Sequence, residues 1–175
     1  MIYYKDDYLV LRSMLKSDID KIMSYFAEQN WYKPVQIISD YYNDQENNTK
    51  VVIIADMDGD VAGYVTLLPY AKAGPFANKN IPEIVDFNVF IKFQRRGIGS
   101  KIMDVAESIA REKSSYVSLS VGLHSGYGSA QRMYIKRGYI PDGTGVWYNG
   151  KQLEQYADCK NDDDLTLYFL KTFKT

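Results

Sequence analysis

Apolar and polar residues alternate in blocks along this chain, and the period of each block predicts an element. Tyr8-Leu9-Val10-Leu11-Arg12 reads as a first strand. Ser17 is then placed to cap a helix whose Ile19, Ile22, Met23 and Phe26 recur at helical spacing on one face. A second helix is expected near Pro34, a residue suited to a first helical turn, and carries Ile37, Ile38, Tyr41 and Tyr42. The runs Lys50 to Ala55 and Val61 to Leu68 are rich in β-branched residues and read as a hairpin around Asp56-Met57-Asp58-Gly59-Asp60. Ala71 to Asn80, with Gly74-Pro75, reads as a loop. Ile84 to Ile91 reads as a fourth strand that runs directly into a glycine-bearing turn.

Gly97 to Lys113 carries the strongest helical pattern: Ile98, Ile102, Val105, Ala106 and Ile109 share one face, and Lys101, Asp104, Glu107 and Arg111 another. Tyr116 to Leu123 gives a fifth strand. Ser129 to Arg137 gives a short helix stopped by Gly138, a left-handed cap followed by apolar Tyr139. Gly145 to Gln152 holds an Asn149-Gly150 turn, Asp162-Asp163-Asp164 reads as a solvated loop, and Leu165 to Leu170 closes the set as a strand. Strands and helices alternate without an internal repeat, which argues an α/β sheet domain.

The length of 175 residues fits one domain spanning 1–175. A hydrophobic fraction of 46%, a charged fraction of 25% and a formal net charge of -1 are those of a soluble globular chain and do not resemble a nucleic-acid binder, so no nucleic-acid partner is expected. No early segment joins a basic start to an apolar run, and no stretch approaches a membrane span, so a cytoplasmic protein with no membrane partner is expected. A single Cys159 excludes an internal disulfide, and with His124 alone beside it no structural metal site is expected. The Asp56 to Asp60 turn resembles calcium-loop text, but its glycine comes too early and Leu67 stands where the bidentate Glu belongs. Sixteen tyrosines, several in polar neighbourhoods, suit half-buried surfaces or a substrate cleft.

A strand, a glycine-bearing turn and a helix together make an anion site, because the first helical N–H groups lack partners inside the helix. The helix dipole and the charges of Arg95 and Arg96 favour a pyrophosphate there, and Gly97 and Gly99 let its oxygens approach the backbone. Two phosphate turns fail to match. A P-loop needs Gly-Lys-Ser/Thr after four intervening residues, which is absent. A dinucleotide turn needs a third glycine, where this chain has Ile102, and an acidic residue at the following strand end, where Tyr116, Val117 and Ser118 lie.

Gln94-Arg95-Arg96-Gly97-Ile98-Gly99 fills the pattern Gln/Arg-x-x-Gly-x-Gly/Ala and resembles the acetyl-CoA turn of the GNAT acetyltransferases. Val89-Phe90-Ile91 upstream resembles the family's fourth strand, and the helix from Ile98 and Ser100 onward its third helix. Ala130-Gln131-Arg132-Met133-Tyr134, followed by Gly138-Tyr139, resembles its next motif, so the resemblance covers roughly Ile84 to Tyr139. It implies the acyl-CoA N-acyltransferase fold, a mixed and mainly antiparallel sheet flanked by helices with strands four and five splayed around the cofactor. It implies acetyl-CoA as co-substrate, bound through Val89, Phe90, Ile91, Arg95, Arg96, Gly97, Ile98, Gly99 and Ser100. Two positions depart from the family. Tyr127 stands where an Asn is frequent, and the fifth strand reads Leu119-Ser120-Val121 without the Glu of many N-terminal acetyltransferases.

An alkyl amine with a pKa near ~10 is mostly protonated at neutral pH, so transfer to it needs a base. Glu83 and Asp86 are the nearest carboxylates on the fourth strand, with Asp86 and Asn88 on one face; His124 and ordered water are further candidates. The resemblance assigns the oxyanion donor to a backbone N–H near Val89 and the acid for the departing thiolate to Tyr134. The expected activity is N-acetyl transfer to a primary amine, in a small molecule or a peptide. Polyamine, aminoglycoside, amino acid and protein amines all remain open as acceptors, and so does a homodimer. The rival expectation is a CoA-binding sensor or docking module without turnover.

Overall fold

The computed structural model describes residues 1–173. The chain folds as two compact units, one of Met1–Leu68 with Val85–Ile109, the other of Pro69–Ile84 with the residues from Ala110 onward.

The first unit holds β1 (Ile2–Lys5), β2 (Val10–Ser13), α1 (Asp18–Glu28), α2 (Val35–Glu46), β3 (Val51–Met57) and β4 (Asp60–Leu68). It also holds β5 (Glu83–Val89) from Val85 on and most of α3 (Ile98–Arg111). Its strand order is β1-β2-β3-β4-β5, with β1 to β4 antiparallel. β1 is an addition to the expected set, since Tyr3-Tyr4-Lys5 lacks an apolar pattern. Every residue from Val61 to Leu68 is buried, as is typical of a strand covered on both faces. Asp58 (φ 53°) and Gly59 (φ 85°) alone turn β3 into β4, which shortens the expected five-residue connection to a two-residue turn with both φ positive.

Two caps differ from expectation. Ser17 has helical angles and its side chain makes no capping bond. The buried Asp18 carboxylate instead ties the chain before the helix, accepting from the Leu15 N–H at 2.7 Å and from Arg12 at 2.7 and 2.9 Å, while Arg12 also reaches Asp56 at 2.8 Å. Pro34 stands just before α2 rather than inside its first turn. On α3 the buried face is rotated from the expected one, taking in Ile98, Ile102, Met103, Ala106, Glu107 and Ala110.

The second unit holds Glu83 and Ile84 of β5, β6 (Tyr116–Gly122), α4 (Gly128–Lys136), β7 (Ile140–Tyr148), β8 (Lys151–Gln152) and β9 (Leu165–Thr172). Its order is β5-β6-β9-β7-β8. The parallel ladder of β5 on β6 consists of Glu83↔Ser118 and Ile84↔Leu119, and the other pairs are antiparallel. The mixed, mainly antiparallel sheet pattern with helices is therefore the one expected. α4 ends as its sequence predicts. Gly138 has φ 88°, its N–H donates to Ile135 O at 3.0 Å, and the N–H of buried Tyr139 donates to Tyr134 O at 3.0 Å. Among the described residues no helix is long and apolar enough to cross a membrane.

Candidate active site

In the first unit β5 ends at Val89 and a short 3-10 turn, Ile91–Phe93, leads to the glycine-bearing segment. The Gln94 side chain donates to Val89 O at 2.9 Å and so ties the segment to the end of the strand. Arg95 (φ 62°) and Gly97 (φ 77°) both take left-handed angles, which swings the backbone into α3. A Cβ at Gly97 would meet nothing within 4 Å, so conformation rather than space requires this glycine. A Cβ at Gly99 would lie 3.2 Å from the Phe87 ring and 3.5 Å from a Val89 methyl. Gly99 thus lets α3 pack closely on β5, where the sequence had suggested an approach by phosphate. Arg95, Arg96, Gly97 and Ser100 are exposed at the start of α3, and Ile98 is buried beneath them. Of the three residues at the strand end, Phe90 gives its N–H to Ala62 O at 3.0 Å and Ile91 gives its N–H to Gln29 Oε1.

Asp86 breaks the regularity of β5 with φ 48°, a left-handed angle at a non-glycine residue inside a strand. From Val85 to Val89 every residue is half-buried, so the side chains of this stretch keep access to solvent. The Asp86 carboxylate is crowded. One oxygen accepts from Tyr41 at 2.9 Å, from Tyr64 at 3.0 Å and from the Lys33 ammonium, and the other accepts from Asn88 at 2.8 Å. Burial, and then the Asp86 charge, push the Tyr41 and Tyr64 phenols upward, so both remain donors. Lys33, Tyr41 and Tyr64 were not legible as site residues, because they lie 53, 45 and 22 positions from Asp86.

In the second unit Glu83 is buried at 7% exposure, and among the described residues its carboxylate has no hydrogen-bond partner. Burial alone pushes it up to about 7. Tyr134 is buried on α4 with its ring edge-on to Tyr139 at 5.8 Å, and burial raises its phenol. His124 is committed locally: its Nδ1 accepts from the Gly126 N–H at 3.1 Å and its Nε2 lies 2.9 Å from Asp163. The Tyr127 hydroxyl donates to the same Asp163 oxygen at 3.0 Å, and its ring rests against Gly122, where a Cβ would collide with it. Among the described residues no cluster of His, Cys, Asp or Glu is arranged to hold a metal ion.

A model of the Acetyltransferase (GNAT) family matches residues 18–139. No curated protein sequence matches the chain. Many solved structures do. Ard1 from Thermoplasma volcanium is 20% identical with a TM-score of 0.69, over 96% of this chain and 99% of that one. The ribosomal alpha-N-protein acetyltransferase RimL, in complex with coenzyme A, is 10% identical with a TM-score of 0.70, over 99% and 98%. A chimera of spermidine N-acetyltransferase SpeG from Vibrio cholerae and hSSAT is 13% identical with a TM-score of 0.68, over 95% and 96%. At such identities the likeness is one of fold. The family match is of sequence and takes in the β5–α3 junction, Glu83, Asp86 and Tyr134, and on its extent this chain belongs to the GNAT acetyltransferase family.

Proposed function

We propose that the chain is an N-acetyltransferase that moves the acetyl group of acetyl-CoA to a primary amine by direct attack of the amine on the thioester. The junction of β5 and α3 carries this reading. Left-handed Arg95 and Gly97 lead straight into a 14-residue helix, whose first-turn N–H groups lack partners inside the helix, beside two exposed arginines. An anion with several oxygens suits that cradle, since the dipole and both charges act on it together. Acetyl-CoA supplies the pyrophosphate that fits there and an acyl group already activated as a thioester. The likeness to a RimL structure that holds coenzyme A supports the same cofactor.

Glu83 is the better candidate for the base. A carboxylate that burial raises to about 7 and that has no competing donor among the described residues is matched to taking a proton from an ammonium at pH 7. Both Asp86 oxygens are already held by donors, which favours Asp86 as a contact for the acceptor over a part in the proton transfer. Tyr134 keeps its proton at neutral pH and is assigned to meet the departing sulfur. The Val89 N–H is assigned to the carbonyl oxygen as negative charge gathers on it. In sum, Glu83 takes one proton from the ammonium, the free amine nitrogen forms a bond to the acyl carbon and gives up a second proton, the carbon–sulfur bond breaks, the thiolate is protonated, and one proton is released to solvent overall.

Titrating the protein with acetyl-CoA while following its melting curve tests the cofactor, and a panel of amines with free thiol as the readout tests transfer. Stabilisation and amine-dependent thiol release are expected. Stabilisation without thiol release from any amine points to a binding module, and an unmoved melting curve overturns the reading altogether.

A further inference from the structure

The partners of Lys33 do not form an ordinary surface ion pair. Its Nζ lies 5.2 Å from the Phe26 ring centre and 5.7 Å from that of Tyr64, contacts Asp86, and is 3.1 Å from the Tyr64 hydroxyl. That hydroxyl in turn donates to Asp86 at 3.0 Å and accepts from Asn88 at 3.2 Å, so its orientation is fixed. Two aromatic faces, one carboxylate and one oriented phenol make a receptor for a primary ammonium: ring quadrupoles attract the charge and the oxygens take the N–H groups. Lys33 reaches this receptor from the short irregular segment between α1 and α2, whose Trp31 and Tyr32 are exposed. The Lys33 and Asp86 side chains are 18% and 17% exposed, so the cage opens to solvent. The Asp86 backbone is held at φ 48°, which aims the carboxylate at this spot at the expense of strand geometry.

We propose that Phe26, Tyr41, Tyr64, Asp86 and Asn88 form a binding site for a primary alkylammonium group of the acceptor, and that Lys33 is a built-in occupant which the acceptor displaces. This inference rests on the amine-acetylating reading and narrows its acceptor to one carrying an alkylammonium. Lys33 keeps Asp86 paired when no acceptor is present, avoiding a partly buried lone charge. In exchange it competes with the acceptor, and the apparent affinity falls by the fraction of time the cage is filled.

The wild-type chain tests this without acetyl-CoA. With 13Cε-lysine labelling, the Lys33 signal, identified by its absence in Lys33→Arg, is expected at a ring-shifted position. Titration with propylammonium chloride is expected to move it, saturably, to the position of an exposed lysine, while equal sodium chloride leaves it in place. Tetramethylammonium, which has no N–H to give, is expected to displace it far less. Lys33→Ala is expected to gain a saturable propylammonium-induced rise in melting temperature, and Lys33→Ala/Asp86→Asn to lose that rise. If Lys33 fills the cage about nine-tenths of the time, Lys33→Ala lowers the amine KM about tenfold. A Lys33 signal that stays ring-shifted throughout the propylammonium titration overturns the proposal and leaves a structural ion pair. An enzyme that turns over with Lys33 immobile defeats this inference alone, whereas displacement of Lys33 with no thiol release from any amine defeats the transferase reading alone.

Discussion

Glu83 and Asp86 stand three residues apart on β5, yet among the described residues one carboxylate is buried with no hydrogen bond and the other accepts from four donors. The difference predicts a pH signature. Burial raises the native Glu83 above its ordinary 4.5 to about 7, so the native state binds more protons than the unfolded chain between those values. Glu83 therefore costs least stability below about 4.5, and its cost grows as pH rises to about 7. Glu83→Gln removes that cost. Urea unfolding is expected to show the variant's advantage over wild type growing by roughly 2–3 kcal/mol from pH 5 to pH 8. Its turnover is expected to drop about 10²–10⁴-fold at pH 7.

Tyr134→Phe deletes one hydroxyl and little volume from a ring packed against Tyr139. Acetyl-CoA affinity is expected to stay within about twofold while turnover falls, since general-acid help is worth roughly 10²–10⁴-fold. Single-turnover kinetics with a fast acceptor measures the chemical step. Unchanged turnover there returns Tyr134 to a packing role.

Gly63 and Gly97 are predicted to fail for opposite reasons. A Cβ at Gly63 would collide with the Asn88 carbonyl and lie 3.0 Å from Val89 Cα, backbone that does not give way as a flexible side chain does. Gly63→Ala is expected to destabilise by about 1–3 kcal/mol and to disturb Val89. Gly97 has open space but φ 77°, so Gly97→Ala costs about 1–2 kcal/mol of backbone strain, paired with weaker acetyl-CoA stabilisation. Thermal melts with and without acetyl-CoA separate the two.

The elements were legible where local chemistry decides them. Gly138-Tyr139 predicts a helix stop because one glycine angle and one apolar contact suffice. The calcium-like turn resolved to Asp58-Gly59 for a similar reason, since two positive φ angles close a hairpin. What stayed hidden depends on residues remote in sequence. Nothing around Ser17 announces that it leaves the helix uncapped, or that the Asp18 carboxylate is held by Arg12 of another element, which Asp56 shares. Asp86 was legible as polar on an inner strand, but its left-handed angle and its tie to Lys33 were not, since alternation presumes a regular strand. Gly99 matched a motif for one reason and is required by Phe87 and Val89 for another.

Arg96→Glu places a negative charge at the start of α3, where Arg96 is exposed and stacks only loosely on Phe93 at 6.0 Å. Fold stability is therefore expected to change little. The acetyl-CoA-induced rise in melting temperature is expected to shrink, and more so at low salt, where the reversed charge is less screened. An equal shift in variant and wild type removes Arg96 from the cofactor site.

Asp86→Asn separates the two carboxylates. Asparagine tolerates the left-handed angle of 48° better than most residues and keeps the side-chain shape, so the backbone of β5 is expected to persist. What is lost is charge: Lys33 keeps its phenol and ring contacts but loses its counter-ion, at a cost of about 1–3 kcal/mol in stability. If Asp86 receives the acceptor's ammonium, the variant raises the amine KM, and raising pH from 7 to 9 relieves little of that, because the contact itself is gone. Glu83→Gln behaves differently. Raising pH by two units multiplies the free fraction of an amine of pKa near ~10 about a hundredfold, so a variant lacking the base regains activity as pH rises. Initial rates of both variants across pH 7 to 9, with amine varied at saturating acetyl-CoA, decide the matter. A turnover defect that closes with pH in Asp86→Asn but not in Glu83→Gln exchanges their roles, making Asp86 the base despite its four donors. Full activity of both across the range means that the proton leaves through water and that neither carboxylate takes it.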